Sequence, residues 1–183
     1  MAEKPTPKPT SYCEYVRELP VGNLHRDYHD LEYGLPVKND TELFELLLLE
    51  INQAGLSWDL MLRKREGLRR AYDGFNIDKV AAYTDHDITR LLADTGIIRN
   101  QRKIRAAIHN ARVIRQLQQE HGSFMQWLDH HHPNTLEEWI RLFKRTFKFT
   151  GPEIVNEFLM SAGYLPGAHV PDCPLYAERP VKG

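Results

Sequence analysis

Glu50 stands where an apolar residue is expected. It follows Leu47, Leu48 and Leu49 and precedes Ile51, with Leu43, Leu46 and Leu47 on its own helical face. A carboxylate there loses hydration, at a cost that only donors or a counter-charge offset. It either caps a neighbouring helix or pairs with an arginine, or it faces a pocket and accepts hydrogen bonds from a ligand. Gln53-Ala54-Gly55-Leu56-Ser57-Trp58 follows at once, its small residues suited to a tight turn into a new helix. Trp58 at that helix start is either core packing or a platform on which a flat ring stacks.

A second constellation lies between Asp94 and Glu120, an interval without an acidic residue that contains Arg99, Arg102, Lys103, Arg105, Arg112 and Arg115. It begins at Asp94-Thr95-Gly96-Ile97-Ile98-Arg99-Asn100, a glycine-containing turn between two predicted helices. A helix–hairpin–helix of this kind offers backbone N–H groups and a helix N-terminus to phosphate. A solvated helix face is the plainer reading of the charge run. Arg63, Lys64, Arg65, Arg69 and Arg70 form a second, more ordinary basic stretch.

The third constellation involves the two cysteines, Cys13 and Cys173, near opposite ends of the chain. In a reducing cytosol a disulfide between them is not expected. They are either unrelated buried thiols or partners in a metal site. His169-x3-Cys173 has zinc-compatible spacing and Cys13 with His29 is a looser pair, and two Cys with two His complete a tetrahedral set. Such a site would tie the N-terminal loop to the C-terminal one. His130, His131 and His132 read instead as a polar loop before Pro133, because adjacent residues do not readily face one ion.

Helix signals supply the frame for these residues. Asn39 with Glu42 fits a capping box, followed by an apolar run from Leu43 to Ile51 that suits a central helix. Ser57 caps a helix from Trp58 to about Tyr72. Thr84 with Asp87 opens a helix that Gly96 closes, Asn100 starts the next, Ser123 and Thr135 precede two more, and Pro152 begins a last one stopped by Gly163. Strand alternation is almost absent, so the fold class is all-α.

The chain has 183 residues, 42% apolar and 27% charged, as expected of one soluble globular domain. The net charge of −1 means that any nucleic-acid signal is local. No stretch is long and apolar enough to span a bilayer, and the N-terminal MAEKPTPKPT lacks the apolar core of a signal peptide, so a cytoplasmic protein without a membrane role is expected. Residues 1–11 are expected as a disordered tail, 12–173 as the domain and 174–183 as a C-terminal tail.

Taken together, several segments resemble the DNA-3-methyladenine glycosylase I family over roughly residues 12 to 173. They are Tyr28-His29-Asp30 through Gly34, then Glu50 with Gln53 to Trp58, Lys64-Arg65-Glu66, Gly96-Ile97-Ile98-Arg99 with Lys103-Ile104, Asn110-Ala111, Phe147-Lys148-Phe149 with Gly151, and His169-x3-Cys173. The resemblance implies a helix–hairpin–helix glycosylase fold with one structural zinc ion held by Cys13, His29, His169 and Cys173. It implies that Glu50 accepts hydrogen bonds from a purine edge, with Tyr28 and Trp58 as pocket aromatics. Gly55 and Leu56 would lie near the duplex, and Gly96, Ile98, Arg99, Arg102 and Lys103 would hold it. The partner implied is double-stranded DNA with alkylated bases, bound by a monomer.

The chain departs from the family pattern at Tyr15 and Tyr33, where tryptophan is usual, and at Ile51-Asn52, where Gly-Gln is usual. All of these positions are expected to line or border the pocket. The expected activity is release of 3-methyladenine, or a related alkylated purine, from a flipped-out nucleotide. A binding module of the same fold that has lost catalysis is the alternative, and a helical scaffold without a DNA role is a more remote one.

Overall fold

A computed structural model describes residues 9–177. Residues 1–8 and 178–183, most of the two expected tails, lie outside the described residues. Among those described there are ten α-helices, one 3-10 turn and no strand, in agreement with the all-α expectation.

Helix α3 (Asp40–Gln53) is the centre of the fold. Every residue from Leu43 to Asn52 is buried, because α4 (Trp58–Ala71), α7 (Gln101–His121), α8 (Phe124–His131) and α10 (Pro152–Ser161) all pack against it. Asp40 in its first turn receives the backbone N–H groups of Phe124 and Met125, joining the start of α8 to α3. Ile51 is fully buried and the Asn52 amide donates to the Leu48 carbonyl, so neither altered position borders a cleft as expected.

Local caps act where the sequence places them. The side chains of Asn39, Ser57, Asn100, Ser123 and Thr135 each accept a backbone N–H at a helix start, and Thr84 forms a capping box with Asp87. Gly96 does not close α6 (Asp85–Ala93) as expected: the helix ends at Ala93 with Asp94 extended, and Gly96 is outside the left-handed region. Its smallness serves packing instead. A Cβ on Gly67 of α4 would collide with the Gly96 carbonyl, so this glycine pair lets the 94–100 turn settle on α4. Gly67→Ala is therefore expected to lower stability by about 1–3 kcal/mol through forced displacement of that turn, read as a lower midpoint in thermal or urea unfolding.

Short helices that the periodicity did not reveal frame the rest. They are α1 (Tyr12–Arg17), α2 (Leu24–Leu31) and α5 (Ile77–Ala81). Helix α9 (Leu136–Thr146) completes the set. The three histidines do not form a loop: His130 and His131 end α8, with His132 as its C-cap before a cis Pro133 bond.

Candidate active site and metal centre

Two glutamates on α3 are buried, and they meet opposite fates. Glu45 accepts hydrogen bonds from Arg65 at 2.7 Å and from Arg69 at 2.9 Å, and Arg65 also forms a two-pronged pair with Glu32 at 2.7 Å. Most of the second basic stretch is thus engaged by groups of the chain itself, with exposed Arg63 on Asp59 and Lys64 on the Thr95 carbonyl. Glu50 lies more than one turn further along and is 4% exposed. Among the described residues, no donor hydrogen-bonds its carboxylate and no arginine pairs with it. It lines a cleft of about 540 Å³ with Gln53, Ala54, Gly55 and Leu56 on one side and Gly151 to Ile154 and Glu157 on the other. Burial, then the charge of Glu157, pushes its pKa up to about 8.

The expected pocket aromatics form a cluster of their own, and none of them lines the Glu50 cleft. Tyr28 lies 5.0 Å from Trp58 and 5.7 Å from Tyr33, ring centre to ring centre, and Leu62 packs beneath. The Tyr28 hydroxyl reaches the Ser161 hydroxyl at 3.4 Å. Its acidity is suppressed by burial and then by the charge of Glu50. Tyr33 is suppressed by burial, then by Glu157 and Glu50. Tyr15 does not join the cluster. It is 39% exposed on the outer side of α1, where its ring meets His25 at 5.2 Å. Tyr12 takes the inner position instead, 5.6 Å from Tyr33, because the short helix α1 turns that face inward. Gly55, in the left-handed region at φ 80°, and the exposed Leu56 form the rim where α3 ends.

The expected DNA-binding residues separate into two groups. Arg99, Arg102 and Arg105 are exposed and carry no ion pair among the described residues. Lys103 is turned inward: its ammonium donates to the Asn52 and Ala54 carbonyls at 2.7 and 2.8 Å and lies 5.8 Å from the Phe149 ring centre. It therefore braces the end of α3, the last turn of which leaves carbonyls without helical partners, and does not extend toward a phosphate as expected. Arg112 is similarly occupied by the Ala81 and Tyr83 carbonyls. The turn between α6 and α7 is held by Asp94 accepting from the Gly96 N–H, and by Asn100 accepting from the Arg102 and Lys103 N–H groups. Those amides are satisfied within the chain, while Ile97 is buried and Ile98 half-buried against the core.

Cys13, His29, His169 and Cys173 converge although the first and last are far apart in sequence. All four are buried, and their ligand atoms lie within 4.8 Å of one another. His169 Nδ1 is 3.2 Å from His29 Nε2 and 3.6 Å from each sulfur, and Cys173 Sγ is 3.7 Å from His29 Nε2. These are separations expected around one ion with metal–nitrogen bonds near 2.0 Å and metal–sulfur bonds near 2.3 Å. The outer contacts fit too. Asp30 faces His29 Nδ1 at 2.7 Å and the Tyr33 carbonyl faces His169 Nε2 at 2.9 Å, leaving in each ring the other nitrogen to coordinate.

Two residues of the site had no distinct signal in the sequence. Glu157 lies in an ordinary amphipathic stretch and Tyr12 in a short N-terminal segment; only the packing of α10 and α1 brings them to the site.

Fold and site define an all-helical protein with an unpaired acid in a cleft and, near it, a cluster of tyrosine and tryptophan rings tilted against one another. A sequence model of the methyladenine glycosylase family matches residues 20–176, and the chain belongs to that family. It is 38% identical to DNA-3-methyladenine glycosylase 1 of Escherichia coli (strain K12), over 90% of this chain and 96% of that protein. Among solved structures, it resembles a tyrosine-to-phenylalanine variant of 3-methyladenine DNA glycosylase I in complex with 3-methyladenine, with a TM-score of 0.78, 31% identity, and coverage of 85% of this chain and 93% of that one. It also resembles the Staphylococcus aureus 3-methyladenine DNA glycosylase I, with a TM-score of 0.78 and 30% identity over 90% of this chain and 95% of that one.

Proposed function

We propose that this chain hydrolyses the N-glycosidic bond of 3-methyladenine, or a closely related alkylated purine, in duplex DNA. The observation that carries the reading is Glu50, a buried carboxylate without a protein partner that opens on a cleft.

Alkylation at N3 leaves adenine positively charged while it is still joined to deoxyribose. The base is then a good leaving group, and the enzyme's main tasks are extrusion and capture. Extrusion costs a few kcal/mol of lost stacking. Capture against Tyr28 and Trp58 returns on the order of 1–2 kcal/mol through cation–π attraction. The Glu50 carboxylate adds charge-assisted hydrogen bonds from the exocyclic amine. A neutral, undamaged adenine gains less from both, which is a source of selectivity. Water attacks the anomeric carbon and releases one proton to solvent, and the glycosidic electron pair leaves with the base, neutralising it.

Helix α6, the 94–100 turn and helix α7 serve in this reading as a helix–hairpin–helix that holds the phosphate backbone. Arg99 and Arg102 supply the charge, and Leu56 on its glycine turn reaches into the duplex. Cys13, His29, His169 and Cys173 hold one zinc ion. With four protein ligands it has a structural role and no open position for chemistry. The enzyme is proposed to work as a monomer in the cytoplasm; no helix among the described residues is long and apolar enough to cross a membrane.

Mass spectrometry of bases released from methylated duplex DNA tests the reading. Free 3-methyladenine is the expected product, and its absence with enzyme in excess over DNA would refute hydrolysis. Arg102→Ala is expected to weaken binding to duplexes of any sequence and to reduce the slope of log affinity against log salt by about one, since one phosphate contact is lost.

A further inference from the structure

Besides Glu50, the cleft is lined by two acids that the capture scheme above does not use, exposed Glu153 and half-buried Glu157. Glu157 lies on α10, half-buried, on the opposite side of the cleft from the Gln53–Leu56 turn. Neither ion pair nor hydrogen bond engages its carboxylate among the described residues. Helix α10 packs directly on α3, so Glu50 and Glu157 belong to adjoining walls of one cavity. A surface glutamate gains nothing from such a position, whereas a cationic ligand would give both acids a counter-charge.

We propose that Glu157 is a specificity-determining residue: it sets a second carboxyl, away from bulk water, in the same cleft as Glu50, so that a positively charged base lets both acids ionise and a neutral base does not. The proposal rests on the reading of the cleft as a pocket for an alkylated base. Two like charges in a desolvated site repel, so in the empty cleft one carboxyl keeps its proton. The groups bearing on Glu50 are Tyr28 from α2, Tyr33 just after it, and Glu157 from α10, with Glu153 acting in turn on Glu157. The arginines of α4 nearest α3 are committed to Glu45, and Lys103 of α7 to the carbonyls of Asn52 and Ala54. Burial, and after it Glu157 as the principal opposing charge, pushes the Glu50 pKa up to about 8. A cationic base pays back that opposition and a neutral base does not, so the second acid sharpens discrimination.

The test compares the wild-type chain with Glu157→Gln and Glu157→Asp. Two readouts are used: carbon-13 NMR titration of the Glu50 carboxyl, and kcat/KM against pH on duplexes containing 3-methyladenine. In Glu157→Gln the Glu50 midpoint is expected to fall by about one pH unit, about the size of a single near-charge effect. The acid limb of the profile should move down with it. At the alkaline end, where both acids of the wild type are ionised, kcat/KM should fall on the order of tenfold. Glu157→Asp keeps the charge and should restore the wild-type profile. A merely structural glutamate would move neither midpoint nor limb, and an unmoved midpoint in folded Glu157→Gln overturns the proposal. The NMR titration requires no turnover. A wild-type chain that releases no base would thus refute the glycosylase reading, while the titration still decides whether the two acids are coupled.

Discussion

Glu50→Gln is expected to release 3-methyladenine at least a hundredfold more slowly than the wild-type chain and, at the same time, to unfold at a higher temperature. The first effect is loss of charge-assisted hydrogen bonds made in a desolvated site, where removing one such group costs about 10²–10³ in rate. The second follows from linkage. The Glu50 pKa is raised to about 8 in the folded chain, whereas an unfolded chain would ionise it near 4.5. Above pH 4.5 the unfolded state therefore ionises this group more readily and is favoured. The penalty on folding grows until the pH passes about 8, and at pH 7 it is about 3 kcal/mol as an upper estimate. Glutamine carries no such penalty. The variant's advantage should accordingly be near zero at pH 4 and greatest above pH 8, which thermal melts across that range would measure. A variant that keeps full activity, or a stability difference independent of pH, would remove Glu50 from its assigned role. Activity set against stability in this way is a recurrent property of catalytic sites.

The second large effect concerns the proposed zinc ion. One zinc ion per chain is the expected result of elemental analysis, and Cys173→Ser should abolish it. Loss of a closed four-ligand site removes a cross-link between the N-terminal helices and the 169–173 segment, and several kcal/mol of stability with it. The consequence should reach the cleft. Tyr28 adjoins His29 in α2, and the Tyr33 carbonyl is bonded to His169. The ligands thus fix from behind the same tyrosines that stand near Glu50. Chelation or Cys173→Ser should therefore weaken binding of 3-methyladenine while far-UV circular dichroism still reports helix, because α3, α7 and α10 carry none of the four candidate ligands. Undiminished base binding in the metal-free chain would separate the two sites.

The sequence by itself determined the helices and the candidate chemistry. Caps such as Asn39, Ser57 and Asn100 act on their own next residues, and the apolar run of α3 marks it as central wherever its partners come from. The oddity of a carboxylate at Glu50 and the local pair His169-x3-Cys173 were legible from residue type and neighbourhood, whereas the full set with Cys13 and His29 came from the family resemblance and is brought together only by packing. Tertiary structure alone decided which groups remain available. Glu45 and Glu50 lie on the same helix a little more than one turn apart, yet Arg65 and Arg69 arrive from another helix to neutralise the first only. Lys103, one residue from exposed Arg102, is drawn 51 positions back along the chain to cap α3. Tyr12 displaces Tyr15 at the cluster and Glu157 enters the cleft by the same route, through packing of distant segments. Helix formation is read from neighbours in sequence. Burial, pairing and ionisation are set by neighbours in space, and long-range contacts determine those.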